Sequence, residues 1–377
     1  MKTSRIHGFH RLEVDERIEY VKNFSDLTDE EADLLHHSFD IISKEYADRL
    51  IENCICGNPL IGVITNAKIN GKDYLIPVSI EEPSIVAAAS RAFKLSGEEG
   101  VEAESLGNYI RGQVQITELN DLKKTMGLLK ENEKEIMKIA NEGHRYTKVK
   151  YLEFEEFDDN ILLYLIVDTG DIQGANTINR MCEAVSEYVE DLTSGEVIAR
   201  IVSNYGDKCL VRGRMKIEKN NLPRNNFSSE EVIKRFLKVS ELGERGNVYR
   251  ASTNNKGIMN GVIGVANATG QDTRAIYTAA EAYATRDGKY SSLSKWYEDD
   301  EYLVGEIIMP MPVGIIGGAT DHPYYKLGLK ILGVESSQEL QEVIVSVGLA
   351  NNFSAIQEIS TTGITKGHMR LHQRRFG

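Results

Sequence analysis

The groups best equipped for chemistry in this 377-residue chain gather at residues 250–272. That stretch holds Arg250, Lys256 and Asp272, with Asn254, Asn255, Asn260 and Asn267 and with Gly257, Gly261, Gly264 and Gly270 between them. An ammonium held in a partly closed loop is desolvated and polarises a carbonyl strongly, which makes Lys256 a candidate electrophile. Asn260-Gly261 signals a tight turn. Asp272 follows the Gly270 break, where the fold can return it toward Lys256. The same composition also fits a Gly- and Asn-rich surface loop.

Three further segments carry complementary groups. Glu81-Glu82-Pro83-Ser84 leads into the Ala-rich run 85–94, and Pro83 marks a helix start. Glu82 there either complements the helix dipole or, if partly buried with a raised pKa, donates a proton. Asp171-Ile172-Gln173-Gly174-Ala175-Asn176 opens a helix. A Gly at such an N-terminus lets a phosphate reach free backbone N–H groups, although an ordinary helix cap reads the same way. No G-x-G-x-x-G follows a strand, so a Rossmann unit lacks its fingerprint. His368, near the C-terminus, reads on its own as a solvated side chain.

The elements that must position these groups follow from periodicity. Residues 13–52 read as helical, with caps at Ser25 and Asp26 and a second amphipathic helix over 40–51. Short strands follow at 61–65, 67–70 and 73–80, with a hairpin at Asn70-Gly71. Strand 113–117, a charged helix over 121–141, strands 148–154 and 161–168, helix 174–192 and strand 197–203 give the β-α-β-β-α-β order of a ferredoxin-like unit, and 210–217 adds an extra strand. Helices are expected at 230–240, 274–285, 324–332 and 337–350. In 305–320, Pro310 and Pro312 rule out a regular central strand, and Gly314, Gly317 and Gly318 permit close backbone approach, either to a ligand or for core packing.

Bulk properties narrow the function classes. The chain is long enough for two or three domains, and its 41% hydrophobic and 27% charged residues are those of a soluble globular protein. A net charge of −13 argues against a nucleic-acid surface. No apolar run reaches membrane-span length, and the N-terminus lacks a signal core, so a cytoplasmic protein without membrane or nucleic-acid partners is expected. Cys54, Cys56, Cys182 and Cys209 form neither a disulfide framework nor a zinc site.

Taken in order, Glu81-Glu82-Pro83-Ser84-Ile85-Val86-Ala87-Ala88-Ala89-Ser90, Gln113-Val114-Gln115-Ile116, Gly174-Ala175-Asn176-Thr177, Asn255-Lys256-Gly257-Ile258-Met259-Asn260-Gly261, Met309-Pro310-Met311-Pro312-Val313-Gly314, Gly317-Gly318-Ala319-Thr320 and Gly367-His368-Met369 make the chain resemble the class II 3-hydroxy-3-methylglutaryl-CoA (HMG-CoA) reductases. Ile51-Glu52-Asn53 also fits, and the strand ending at Asn204 fits less firmly. The resemblance covers nearly the whole chain from about residue 4.

It implies a mixed α+β and α/β fold. A large HMG-CoA-binding domain (1–107 and 219–360) surrounds a central helix, and an inserted ferredoxin-like, non-Rossmann dinucleotide-binding domain (108–218) interrupts it. It implies a four-electron reduction of HMG-CoA to mevalonate and free CoA by NADPH, with NADH possible, in a homodimer or an assembly of dimers whose active sites lie at the interface. By resemblance Lys256 stabilises the oxyanion, Glu82 supplies a proton to the aldehyde, Asp272 tunes the network and His368 protonates the departing thiolate. Arg250 pairs with the substrate carboxylate beside Ser84 and Asn260, and Arg11 (or His10) contacts CoA. Asp171, Gly174, Asn176 and Asn204 hold the dinucleotide.

Two departures from the family pattern stand out. The chain stops nine residues after His368, so 361–377 reads as the start of a truncated C-terminal flap. Where NAD-preferring members can carry an Asp, this chain has His144 and Arg145, a pair that attracts a 2′-phosphate and favours NADPH. Isoprenoid synthesis is the expected pathway, with mevalonate catabolism as the alternative direction. A non-catalytic CoA- or nucleotide-binding protein is a further alternative, whereas a thiolase-like acyltransferase lacks its nucleophilic cysteine.

Overall fold

The computed structural model describes residues 2–39, 43–45, 48, 53–57 and 60–364. In chain order, α1 (Val14–Ser25) and α2 (Asp29–His37) precede β1 (Cys56–Gly57), β2 (Leu60–Ile69), β3 (Lys72–Val78), α3 (Pro83–Leu95) and β4 (Val101–Ser105). Then come β5 (Tyr109–Thr117), α4 (Leu122–Glu131), α5 (Glu133–Asn141), β6 (Lys148–Phe157), β7 (Asn160–Asp168), α6 (Ala175–Thr193) and β8 (Glu196–Val202). The chain continues through β9 (Leu210–Glu218), α7 (Ser229–Glu244), α8 (Val248–Ala268), α9 (Thr273–Tyr283), β10 (Ser294–Asp299), β11 (Tyr302–Pro310), α10 (Pro323–Leu332) and α11 (Ser337–Ser360).

Two sheets organise this mixed α/β fold. The larger has strand order β1-β2-β4-β9-β11-β10, with β3 paired to β2, and the smaller has order β6-β7-β5-β8. Neighbouring strands β4 and β9 run antiparallel, with Ala103 opposite Gly213, and they bracket in sequence every strand of the smaller sheet. Strand 210–217, expected as an addition to the compact unit, therefore belongs to the larger sheet, and the chain has returned there before residue 218. The smaller sheet has its own core, in which Val114, Leu163 and Leu165 pack with Ile136, Met181 and Val185.

Local chemistry accounts for the turns. Asn70 and Gly71 take φ of 50° and 78° and close the β2–β3 hairpin as expected. The strands expected at 61–65 and 67–70 are one strand, β2, interrupted at Asn66, where φ is 62° and the pairing register shifts. Thr28, not Ser25 or Asp26, caps α2, and it shares a capping box with Glu31, while Asp26 ends α1 in the left-handed region. The helix expected over 121–141 breaks at Asn132. Of the helix expected over 40–51, residues 40–42, 46–47 and 49–51 lie outside the described residues.

Two expectations fail for packing reasons. Residues 248–268 form one helix, α8, with no turn at Asn260-Gly261. A Cβ on Gly261 would stand 2.2 Å from Asn351 Oδ1, and one on Gly264 would stand 2.5 Å from Val78 Cγ1. Glycine is there so that α8 can approach α11 and β3 closely. Asn254 and Asn255 are buried as well, and they staple α8 to the start of β10 through Ser294 Oγ (3.1 Å) and to the loop before it through the Ser291 carbonyl (3.1 Å). Likewise 302–310 is a regular strand between β9 and β10, and Pro310 is tolerated because it is the last residue.

Helix α11 is longer than its expected 337–350 and is buried along most of its 24 residues. It lies against α3, α8 and strands of the larger sheet, and so holds the two helices that carry Glu82 and Lys256. Among the described residues no helix is long and apolar enough to cross a membrane.

Candidate functional site

Helices α3, α8 and α11 enclose a cavity of about 350 Å³. Pro83 opens α3, so the preceding Glu82 stays extended at the N-cap, and Ser84 Oγ donates to Glu82 Oε1 at 2.6 Å. Ser84 itself is only 6% exposed, which fixes the hydroxyl against the carboxylate. From α8, Arg250, Thr253, Lys256, Gly257 and Asn260 line the same cavity. Their spacing puts them on one helix face, which meets β3 only further along, at Gly264. Small side chains, including Ala88, Ser354 and Ala355, leave the volume open between the polar groups. Burial lowers the affinity of the Arg250 guanidinium for its proton below the ordinary value, so the site favours an anion beside it.

Five residues singled out from sequence thus share one cavity: Glu82, Ser84, Arg250, Lys256 and Asn260. A Lys, a Ser-tethered carboxylate, an Arg and an amide around an apolar floor can bind a carboxylate and polarise a nearby carbonyl. Arg91, Arg224 and Glu358 also line it and were not singled out. Arg91 could have been found, since it lies seven residues from Ser84 on the same face of α3.

Asp272 is not brought to the cavity by this chain. Twelve residues of helix separate Lys256 from the end of α8, about 18 Å at the α-helical rise. Asp272 instead caps α9, with Oδ1 accepting from the backbone N–H of Arg274 (3.0 Å) and Ala275 (3.2 Å). Arg11 ends a short 3-10 helix in the N-terminal region and is exposed, away from the cavity lining. His368, and the rest of the expected flap beyond 364, lie outside the described residues.

The expected dinucleotide residues gather elsewhere. Gly174, with φ of 83°, is the N-cap of the 19-residue α6 and presents its first-turn N–H groups, with Asn176 exposed beside them. The loop bearing His144 and Arg145 lies alongside, since a Cβ on Gly170 would stand 3.1 Å from the Tyr146 carbonyl. Arg145 is exposed and its guanidinium rests over the Tyr146 ring, 5.5 Å from the centroid. Asp171 points away from this surface: its Oδ1 accepts from Ser337 N at 2.8 Å, at the start of α11. Its carbonyl accepts from Ile315 N, and Gly314 must be glycine because a Cβ there would meet Gln173 N at 2.4 Å. The 305–320 segment is therefore packed on the Asp171 loop. Asn204 is exposed in the bend after β8.

Comparison with known proteins bears directly on this arrangement. The family profile described as Hydroxymethylglutaryl-coenzyme A reductase matches residues 13–373. The chain is 39% identical to the 3-hydroxy-3-methylglutaryl-coenzyme A reductase of Archaeoglobus fulgidus, across 99% of this chain and 86% of that protein. It is 33% identical to a probable enzyme of the same name from Borreliella burgdorferi, across 97% and 85%. The solved class II 3-hydroxy-3-methylglutaryl-CoA reductase of Streptococcus pneumoniae, bound to NADPH in open conformations, superposes with a TM-score of 0.84 at 34% identity, covering 94% of this chain and 99% of that one.

Proposed function

The chain belongs to the hydroxymethylglutaryl-coenzyme A reductase family, and we propose that it reduces HMG-CoA to mevalonate and CoA at the α3–α8–α11 cavity, with NADPH as reductant. The observation that carries the reading is the meeting of Glu82, Ser84, Arg250, Lys256 and Asn260 around one cavity. The balanced reaction takes two hydrides and two protons: the thioester carbon becomes a primary alcohol carbon, and the carbon–sulfur bond breaks to release CoA thiol. The reduced nicotinamide, when bound, supplies the hydrides.

The protein's part is charge and proton management. Arg250 holds the substrate carboxylate, with Ser84 and Asn260 as hydrogen-bond partners. Lys256 stabilises the negative oxygen that forms when the thioester carbonyl is reduced to a hemithioacetal. His368 gives the leaving sulfur its proton. Glu82, kept in place by Ser84, gives a proton to the aldehyde oxygen in the second reduction. Asp272 cannot reach Lys256 within one chain, so a second copy supplies it, in a homodimer whose two halves complete each site.

The smaller sheet with its helices is read as a ferredoxin-like dinucleotide-binding unit inserted between β4 and β9. The left-handed Gly174 and the free N–H groups of α6 fit a pyrophosphate, and exposed Arg145 fits the 2′-phosphate of NADPH. Asp171 supports that loop from behind. NADPH preference favours the synthetic direction, mevalonate for isoprenoids, in the cytoplasm.

Absorbance of the reduced cofactor, followed with HMG-CoA for the wild type and Lys256→Ala, tests the reading. Oxidation of two cofactors per CoA released, lost in the variant, is the expected result. Binding of HMG-CoA without turnover by the wild type would leave a non-catalytic binding protein instead.

A further inference from the structure

Helix α8 ends at Ala268, and a short connection delivers Asp272 to the start of α9. Gly270 turns the chain there with φ of 72°, and a Cβ on it would stand 2.7 Å from the Tyr325 ring. Gln271, the next residue, is buried, and both polar atoms of its side chain are spent on backbone groups. Its Nε2 donates to the Thr269 and Gly314 carbonyls, each at 2.9 Å. Its Oε1 accepts from Gly314 N, also at 2.9 Å. The amide thus exchanges two hydrogen bonds with Gly314, as a paired strand residue would. Starting α9 does not require this contact, because Asp272 caps the helix with its own carboxylate. Gly314 in turn lies on the Asp171 loop. A Cβ there would stand 2.4 Å from Gln173 N, Ile315 N and Ile316 N donate to the Asp171 carbonyl at 2.8 and 3.1 Å, and Ile172 and Ile316 form a parallel bridge. One buried side chain therefore joins the residue before Asp272 to the segment packed on the loop that leads into Gly174.

We propose that Gln271 is a positioning residue that makes Asp272 and the 171–174 loop one rigid piece, so that the carboxylate and the reduced cofactor are presented to the second copy's cavity together and at a fixed separation. A buried amide with both atoms engaged has one orientation, and losing it takes a partner from both backbone groups of Gly314. Helix α9 and the loop would then be free to shift independently. The roles of Asp272 and of the loop rest on the function proposed above, whereas the link between them does not.

Hydrogen exchange of the full chain read by mass spectrometry, together with steady-state kinetics, tests the link. Gln271→Met keeps the length of the side chain and removes its hydrogen bonds to Thr269 and Gly314. Gln271→Glu keeps the acceptor for Gly314 N and sets an oxygen against the two carbonyls. In either variant the 171–176 and 272–276 peptides lose protection together, by about 10-fold or more in rate, while the 84–95 peptide of α3 exchanges as in the wild type. The value of kcat falls about 10- to 100-fold and KM for NADPH rises, as for groups displaced by up to about 1 Å. KM for HMG-CoA stays within about 2-fold, since no substrate contact is lost. In an Asp272→Asn background the same substitution lowers kcat less than about 3-fold further, because the group it positions is already gone. Loss of protection confined to 269–276, or equal rises in both KM values, makes Gln271 a local packing residue and overturns the proposal, as do wild-type exchange and kinetics. A wild type that oxidises no NADPH fails as a reductase; paired loss of protection in 171–176 and 272–276 then still upholds the link, and unpaired loss still overturns it.

Discussion

Adding one methyl group at two positions of the same helix separates packing from propensity. In Gly261→Ala the new Cβ meets Asn351 Oδ1 at 2.2 Å and Val347 Cγ1 at 2.8 Å. Asn351 cannot swing aside freely, because its Nδ2 donates to the Ile85 carbonyl at 3.0 Å. Helix α8 must therefore move off α11 by about 1 Å. Overpacking of this kind costs about 1–3 kcal/mol, loosening the Asn351 bond costs about 1, and the gain in helix propensity returns about 1. The balance is a destabilisation of about 2 kcal/mol, or roughly 2–3 °C in midpoint for a chain of this length. In Gly257→Ala the nearest atom is Ala355 Cβ at 3.7 Å, an ordinary contact. There only the propensity gain of up to about 1 kcal/mol remains, and the midpoint rises by about 1 °C. Thermal unfolding followed by circular dichroism, at one fixed protein concentration, reads both. Gly261→Ala should also lose activity, since Asn260 moves with the helix and a shift of about 1 Å costs up to about 100-fold in a positioned site. Equal shifts of the same sign in the two variants would refute the close-packing account of α8.

Lys256→Ala should lower kcat about 100- to 1000-fold, the usual effect of removing an oxyanion donor, with no fall in the thermal midpoint because the side chain is exposed. Arg145→Asp should raise KM for NADPH by about 10-fold or more and leave KM for NADH nearly unchanged, as steady-state kinetics with each cofactor would show. Burial pushes the thiols of Cys54, Cys182 and Cys209 up to about 12. At pH 8 their thiolate fraction is then about 1000-fold below that of an ordinary exposed thiol. Ellman's reagent should leave these three unmodified in the folded chain and label them in denaturant.

Sequence patterns read the local structure well where one residue's own chemistry decides it. Asn70-Gly71 needs two positive φ angles, and Pro83 needs a first helical turn, whatever surrounds them. The patterns misread α8 because Gly and Asn there answer to neighbours distant in sequence. Gly261 is small for Asn351 and Val347, and Asn254 and Asn255 are polar for the start of β10 and the loop before it. A glycine that admits a neighbouring helix and a glycine that makes a turn are the same letter. Propensity costs about 1 kcal/mol per Gly in a helix, which tertiary packing along a buried face readily outweighs.

The site shows the same division between spacing and space. Glu82 with Ser84, and Lys256 with Asn260, lie within one helix turn of each other, so a helical reading alone puts each pair on one face. Lys256 and Asp272 are also close in sequence, yet the helix between them is rigid and carries them apart. Arg91 and Arg224 lie far apart in the chain, and only the packing of α11 between α3 and the loop before α7 makes them neighbours. Gln357 and Glu358, adjacent on α11, take one arginine each. Two cations are held side by side by a single helix that offers one neutral acceptor and one carboxylate. That arrangement leaves one positive charge uncancelled at a cavity wall, and no reading of α3 or of the 222–227 loop in isolation contains it.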